Sequence, residues 1–300
     1  VIPGIGVWYA STCAQCAANC GIHGRVREGR VLKLEGNPDS PTNNGKICMM
    51  GQAGVQGQYN PDRVTQPMMR ENGQLKEVSW DKALAAIKDK LAATSGDRVA
   101  WFTGSISGHQ AALLDNHLAA VGGAKHYVHE VINNAVAQAV NSDMFGEAMP
   151  RIRIDKAKMI LSFGADFLGT WLSPVHFAGE YAKFRTAKQR GLLVQVESKM
   201  SLTGGSADLW LAAKPHSEAV LALAIANVLV SEHSKDASAL PESVQAAIKS
   251  ADLNKAAAAT GVQVERIKRI AQLLVERSPS LVLAGAPVEG QQNGYGAVAT

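Results

Sequence analysis

The sequence predicts an α/β fold: a small antiparallel domain over residues 1–65, then a doubly wound parallel sheet over residues 66–300. Three observations carry that expectation. All four cysteines fall within the first 48 residues, in a stretch rich in Gly, Asn and Pro and poor in large apolar side chains. From Val78 onward, short apolar runs alternate with stretches of helical periodicity. Three hundred residues, 46% hydrophobic and 19% charged, are more chain than one ordinary core spans.

The first segment carries a hairpin signal. "HGRVRE" and "RVLKLEG" flank Gly29, and Val26, Val31, Leu32 and Leu34 alternate with charged neighbours, as half-exposed antiparallel strands require. So small a core needs a staple, and the cysteines are the candidates. "SWDKALAAIKDKLAA" then places Ser79 as N-cap before a helix. "DRVAWFTG" predicts a buried strand, and "SGHQAALLDNHLAAVGG" a helix closed by Gly122 and Gly123. "KAKMILSFGAD" predicts a strand ending at Gly164, and "SPVHFAGEYAKFRTAKQRG" a helix running to Gly191. "LLVQVES" and "ADLWLAAK" predict strands, "SEAVLALAIANVLVSE" a helix, and short alanine-rich helices lead to a last strand in "SLVLAGAP". In such a sheet ligands sit beyond the carboxyl ends of the strands, so the loops at 104–108, 164–171 and 197–205 are the expected ligand edge.

Charge excludes some partners. The net charge is +4 and the basic residues are scattered. The densest run, "RIRIDKAK", contains an acid and no interleaved aromatic, so it predicts a solvated face and no nucleic acid site. The longest apolar run, Ala219 to Val230, is short of the roughly 20 residues that span a bilayer, which predicts a buried helix and no transmembrane segment. The start at Val1 predicts a processed or trimmed amino terminus.

The cysteine spacing is C-x2-C-x3-C-x27-C, formed by Cys13, Cys16, Cys20 and Cys48. Thiolates in this number suit zinc or an iron–sulfur cluster. Structural zinc sites usually show two paired ligands on each side, so three plus one is a poorer match. A c-type haem needs His after the second cysteine, and Ala17 stands there. Two disulfides require an oxidising compartment, and the crowded triplet leaves only one partner for Cys48. The pattern is read as one [4Fe–4S] cluster on Cys13, Cys16, Cys20 and Cys48, with zinc and disulfides as the alternatives.

The cysteine pattern, "GQAGVQGQYNPDRVTQPMMR" after it, and the helix opened by Trp80 and Asp81 resemble the molybdopterin oxidoreductases. The resemblance extends over essentially the whole chain. It implies an amino-terminal [4Fe–4S] domain followed by Rossmann-like domains that clamp a bis-pterin guanine dinucleotide holding Mo or W. Family members are considerably longer than 300 residues, so the chain is expected to be part of a longer one. It also departs from the family's pattern. Met50 stands where the family usually has Lys or Arg between cluster and pterin. Asn133, Asn134 and Ala135 occupy the neighbourhood that supplies a metal ligand. Glu197-Ser198-Lys199 replaces Asp-Pro-Arg, and Pro215-His216-Ser217-Glu218 replaces Pro-Gly-Thr-Asp. These departures predict that molybdopterin is absent.

"WYASTC" and "DFLGTWLSPV" look most like cofactor-less subunits of quinone-linked respiratory complexes, of the alternative complex III and cytochrome c:menaquinone reductase kinds. That resemblance implies an electron-transfer and scaffold subunit on the periplasmic side of the membrane. Its implied partners are a ferredoxin-like iron–sulfur subunit, a multihaem cytochrome c and an integral membrane quinone-binding subunit. The alternative is an active Mo or W oxidoreductase acting on a small inorganic or one-carbon substrate.

Other residues carry ordinary readings beside functional ones. His129 is expected as a hydrogen-bonded histidine at a strand end. Asp166 is expected to cap or brace its loop, with ligand binding the alternative. Glu197 could accept from a ribose or guanine. Trp101, Trp171 and Trp210 are expected in the core. Pro61-Asp62-Arg63 is expected as a rigid turn with an ion pair. Met49 and Met50 are expected to pack on the apolar shell of the cluster.

Overall fold

A computed structural model describes residues 3–106, 108–131 and 133–300. Ser107, in an expected ligand loop, and Ile132, in the stretch before the fourth helix, lie outside the described residues. The chain packs as two compact units, Val1–Val131 and Ile132–Thr300.

The first unit opens with three strands, β1 (Val7–Thr12), β2 (Gly21–Arg27) and β3 (Arg30–Gly36), in an antiparallel sheet of that order. Glu28 and Gly29 turn the β2–β3 hairpin with φ of 52° and 79°, the left-handed pair that suits the twist of a tight hairpin. The alternation seen in the sequence holds: Ile22, Gly24 and Val26 turn inward while Arg25 and Arg27 face solvent. Helix α1 (Met49–Gln58) packs against β3. A second hairpin, β4 (Met68–Glu71) with β5 (Gln74–Glu77), was not expected. Its signal was Asn72-Gly73, whose φ angles of 50° and 81° repeat the left-handed pair. Helix α2 (Trp80–Ala92) starts as the sequence predicts, with Ser79 Oγ accepting from Lys82 N–H at 3.2 Å. Strand β6 (Ala100–Thr103), helix α3 (His109–Val121) and strand β7 (Lys125–Val128) follow. β6 pairs in parallel with β7 alone, as a two-stranded sheet separate from the larger one.

The second unit begins with α4 (Ala135–Phe145) and contains the main sheet. Strand β8 (Met159–Phe163) is buried at all five residues. Helix α5 (Pro174–Thr186) ends before the expected Gly191, because the chain turns back there: Gly191 N–H donates to Phe184 O at 3.0 Å. Next come β9 (Leu192–Val196), the short α6 (Leu202–Gly205), β10 (Leu209–Leu211), α7 (Glu218–Ser231), α8 (Glu242–Ser250), α9 (Leu253–Thr260) and α10 (Val264–Glu276). β11 (Ser280–Ala284), α11 (Ala286–Glu289) and α12 (Gly294–Ala299) close the chain. The sheet is parallel throughout, in the order β10-β9-β8-β11.

Each face of that sheet has its own core, which is the doubly wound arrangement. Met159, Leu161, Phe163, Val194 and Val196 point to one side, against α7, α9 and α10 through Leu221, Ile225, Val228, Ile267 and Ile270. Ile160 and Leu193 point to the other, against Phe167, Trp171, Phe177 and Phe184. Strands buried on both faces read as unbroken apolar runs, which is why "MILSF" and "LLVQV" lack alternation. Helix α7 is the apolar run of the sequence, and its inner face lies in the core. Among the described residues, no helix is long and apolar enough to cross a membrane.

One ion cluster ties α5 to the sheet. Asp208 accepts from both Arg185 amino groups, from Arg190 at 2.7 Å and from Leu193 N–H at 2.8 Å. Burial alone would push this carboxyl up, but these donors outweigh it and lower it from 3.8 to about 2. A depressed carboxyl contributes stability above its unfolded pKa and loses it as pH falls through the folded value. Asp208→Asn is therefore expected to lower the urea midpoint at neutral pH. It should also remove the loss of stability that the wild-type chain shows between about pH 4 and pH 2. Urea titrations across that range check both.

Candidate functional site

β1 delivers the chain into the first cysteine loop. That loop is closed at its base, where Cys13 N–H donates to Cys20 O at 2.8 Å. Asn19 turns it with φ of 47°. Cys48 arrives from the other side as the N-cap of α1, its Sγ accepting from Gly51 N–H at 3.4 Å. A side chain at Gly51 would lie 3.9 Å from the sulfur of Cys13 and only 2.7 Å from Ile47. Glycine there thus leaves room where the two cysteine segments meet.

The Cys20 thiol lies within electrostatic reach of the other three. Burial, then the charges of Cys16, Cys13 and Cys48, push the Cys20 thiol above its ordinary value, against its own backbone amide. All four are free thiols; Cys16 and Cys48 are exposed, Cys13 is half-buried and Cys20 is buried. A soft donor set of four unpaired thiols, with a glycine cradle beside it, fits an iron–sulfur cluster. Among the described residues, no three His, Cys, Asp or Glu side chains form a site for a single metal ion.

Sequence reasoning missed the residue that joins the two segments. Asn43 is 2% exposed. Its Oδ1 accepts from Gly21 N–H at 2.9 Å, and its Nδ2 donates to Gly21 O at 2.8 Å and Lys46 O at 2.6 Å. It therefore clamps the residue after Cys20 to the strand of chain entering Cys48. The signal was the turn-rich "SPTNNGK", which marks a loop but does not say which asparagine faces inward.

Met49 and Met50 do not pack as expected. They are 84% and 59% exposed, because the first turn of α1 presents Gly51 to the cysteines and turns both thioethers outward. Pro61-Asp62-Arg63 does form a turn, pinned by Asn60, whose Oδ1 and O accept from Asp62 N–H and Arg63 N–H. The expected ion pair is not found among the described residues. His129 stands at the end of β7, its N–H donating to Thr103 O at 2.9 Å. Its ring tilts against Phe102.

At the carboxyl ends of the main sheet the two candidate carboxylates are engaged by their own chain. Asp166 Oδ1 accepts from Thr203 Oγ1 at 2.8 Å and Thr203 N–H at 3.1 Å, and its Oδ2 accepts from Thr170 Oγ1 at 3.3 Å. The loop-bracing reading of Asp166 therefore holds. Glu197 is buried, accepting from Ser201 N–H at 2.7 Å and from Gln195 Nε2 at 2.9 Å. Its Oε1 fills the space a side chain at Gly204 would need. His216 adopts φ of 64°, so this turn keeps a glycine-like backbone with an exposed imidazole on it. Trp171 is buried as expected, Trp210 is half-buried, and Trp101 is 39% exposed, stacked edge-on with His117.

One unit carries four free thiols beside an antiparallel sheet, and the other a doubly wound parallel sheet, which together define a two-unit α/β protein. The chain belongs to the molybdopterin oxidoreductase family: residues 63–300 match molybdopterin oxidoreductase, and residues 7–60 match the molybdopterin oxidoreductase Fe4S4 domain. It is 26% identical over 289 residues to the menaquinone reductase molybdopterin-binding-like subunit of Nitratidesulfovibrio vulgaris, covering 95% of this chain and 42% of that one. It is 25% identical to the thiosulfate reductase molybdopterin-containing subunit of Salmonella typhimurium, covering 91% and 37%. Among solved structures it shares the fold of acetylene hydratase from Pelobacter acetylenicus, with a TM-score of 0.74 at 20% identity over 96% of this chain and 42% of that one. The chain thus spans less than half the length of these relatives.

Asn43→Ala is expected to leave Gly21 N–H and Lys46 O without their side-chain partner, while Gly21 O keeps Asn37 N–H at 2.9 Å. Each lost hydrogen bond contributes roughly 0.5–1.5 kcal/mol, so the thermal midpoint should fall measurably. Asn43→Asp keeps the acceptor and loses the donor, and its midpoint is expected to lie between the two.

Proposed function

We propose that this chain is an electron-transfer and scaffold part of a membrane-bound quinone:cytochrome c oxidoreductase complex. One [4Fe–4S] cluster is held by Cys13, Cys16, Cys20 and Cys48, and the chain carries no molybdopterin. The observation that supports the cluster is a set of four free thiols, three on one loop and Cys48 at the start of α1, with the buried Cys20 thiol within electrostatic reach of the other three. Bound there, the cluster supplies one-electron transfer. The chain's own part is to hold the four sulfurs, through the Cys13–Cys20 backbone bond, the Gly51 amide on Cys48 and the Asn43 clamp.

The reading without pterin rests on the ligand edge of the sheet. A nucleotide there needs free acceptors for ribose and base. Asp166 and Glu197 already accept from Thr203, Thr170, Ser201 and Gln195 on both oxygens, which supports the reading without pterin. Met50 offers no cation beside the cysteines. The relative named as a menaquinone reductase subunit supports a quinone-linked assembly. Within it the partners are a ferredoxin-like iron–sulfur subunit, a multihaem cytochrome c and an integral quinone-binding subunit. The chain sits peripherally, on the periplasmic side. We further propose residues 1–65 as the cluster domain and residues 66–300 as the Rossmann-like domain.

A second reading is an active Mo or W oxidoreductase. It is favoured by relatives named as arsenate and thiosulfate reductase subunits, and by the molybdopterin oxidoreductase match over residues 63–300.

Elemental analysis of anaerobically purified protein, with EPR of the reduced sample, separates the two. About four irons per chain, a reduced-cluster signal and no Mo or W is the expected outcome. Cys48→Ala or Cys16→Ala should remove most of that iron and the signal with it. One Mo or W per chain transfers the assignment to the second reading, and iron-free protein overturns the cluster.

A further inference from the structure

Glu289, at the end of α11, is 7% exposed. Its Oε2 accepts from Ala137 N–H, in the first turn of α4, at 3.1 Å. Its Oε1 is buried and has no partner among the described residues. The residue ahead of α4 shows the complementary fault. Asn134 is the N-cap, the position whose side chain normally accepts from the N–H two or three residues on. It makes no such bond; Ala137 N–H goes to Glu289 instead, and Asn134 Oδ1 is buried with no partner among the described residues. Two acceptors therefore stand at one helix end with one N–H taken, and each is left with an orphaned buried oxygen that a proton would serve.

Among the described residues, the helices packed here supply no countercharge. Helices α4, α7, α11 and α12 contain no Lys, Arg or His. Their remaining titratable groups are Asp143 and Tyr295, hydrogen-bonded to each other at 2.6 Å, and Glu218, which accepts from Gln291 at 2.7 Å. A buried carboxylate without a countercharge is costly, and the group neutralises instead. Burial pushes Glu289 above its ordinary 4.5, with only the Ala137 amide opposing it. Its place is also suggestive. α11 follows the carboxyl end of β11, and Pro287 packs within 3.4 Å of the position a side chain at Gly164 would occupy, at the end of β8. Perturbed carboxyls at such an edge are where function gathers.

We propose that Glu289 folds as the neutral acid, its Oε1–H donating to Asn134 Oδ1 while its Oε2 accepts from Ala137 N–H, so that the α4–α11 junction is a one-proton binding site. No bond of the chain changes; a proton from water is bound on folding and released when the carboxyl ionises. A carboxyl whose folded pKa is raised contributes stability that is complete below its unfolded pKa and is lost as pH rises through the folded value.

Infrared spectra of the holoprotein with 13C-labelled glutamate, recorded from about pH 4 to pH 8, test it without a variant. The expected result is a protonated-carboxyl band that persists above the range of exposed glutamates and is missing in Glu289→Gln. Absence of that band in the wild-type chain overturns the proposal. Asn134→Ala keeps Glu289 and removes its acceptor, so the band should move to the frequency of a less strongly bonded acid. An unmoved band overturns the bridge to Asn134. Denaturation midpoints provide a separate readout: the wild-type midpoint should fall with rising pH by the slope of one bound proton relative to Glu289→Gln, and parallel profiles count against the site.

Discussion

The structure depends most on the burial of β8 and β9 from both sides. These strands have no solvent-facing residues to spare, so every connection out of them must find cover or partners at once. Helices supply the cover: α7, α9 and α10 on one face, α5 with the 166–171 loop on the other. Parallel pairing then sets all four carboxyl ends of the sheet on one edge, with the loops that follow them. The chemistry of that edge follows from the same burial. A carboxylate such as Glu197 can stand there only if its oxygens are satisfied, and the nearest donors are those of its own loop.

The first unit solves a different problem. Its three-stranded sheet leaves β1 entirely exposed and its helix α2 buries no residue. Apolar packing is therefore thin, and specific polar bonds take over. Asn43, the backbone bond across the cysteine loop and the turn at Glu28-Gly29 fix where Cys13, Cys16, Cys20 and Cys48 stand. Burial first, and the neighbouring thiols after it, oppose ionisation of Cys20, a cost that a cationic inorganic core would relieve.

Three acids show how the same residue type serves different ends. Asp208 is surrounded by guanidinium groups and held ionised. Asp166 is spent on threonines and organises a loop. Glu289 meets one amide and no cation, and burial drives it the other way. Hydrophobicity patterns do not distinguish these environments; the neighbours do.

The sequence by itself determined the class of fold, the cysteine set and most elements, because periodicity, caps and turn residues act over a few positions. The hairpin at Gly29, the cap at Ser79 and the runs "MILSF" and "LLVQV" were legible for that reason. The Asn72-Gly73 hairpin was legible too and was missed, its flanking strands being short and polar. Only tertiary structure decided that β6 pairs with β7 and stands apart from the larger sheet. It alone decided that Met50 faces outward and that Asn43 and Glu289 face inward. Those outcomes turn on contacts between residues far apart in the chain, Glu289 with Ala137 above all, and no local pattern encodes which distant donor a polar side chain will find.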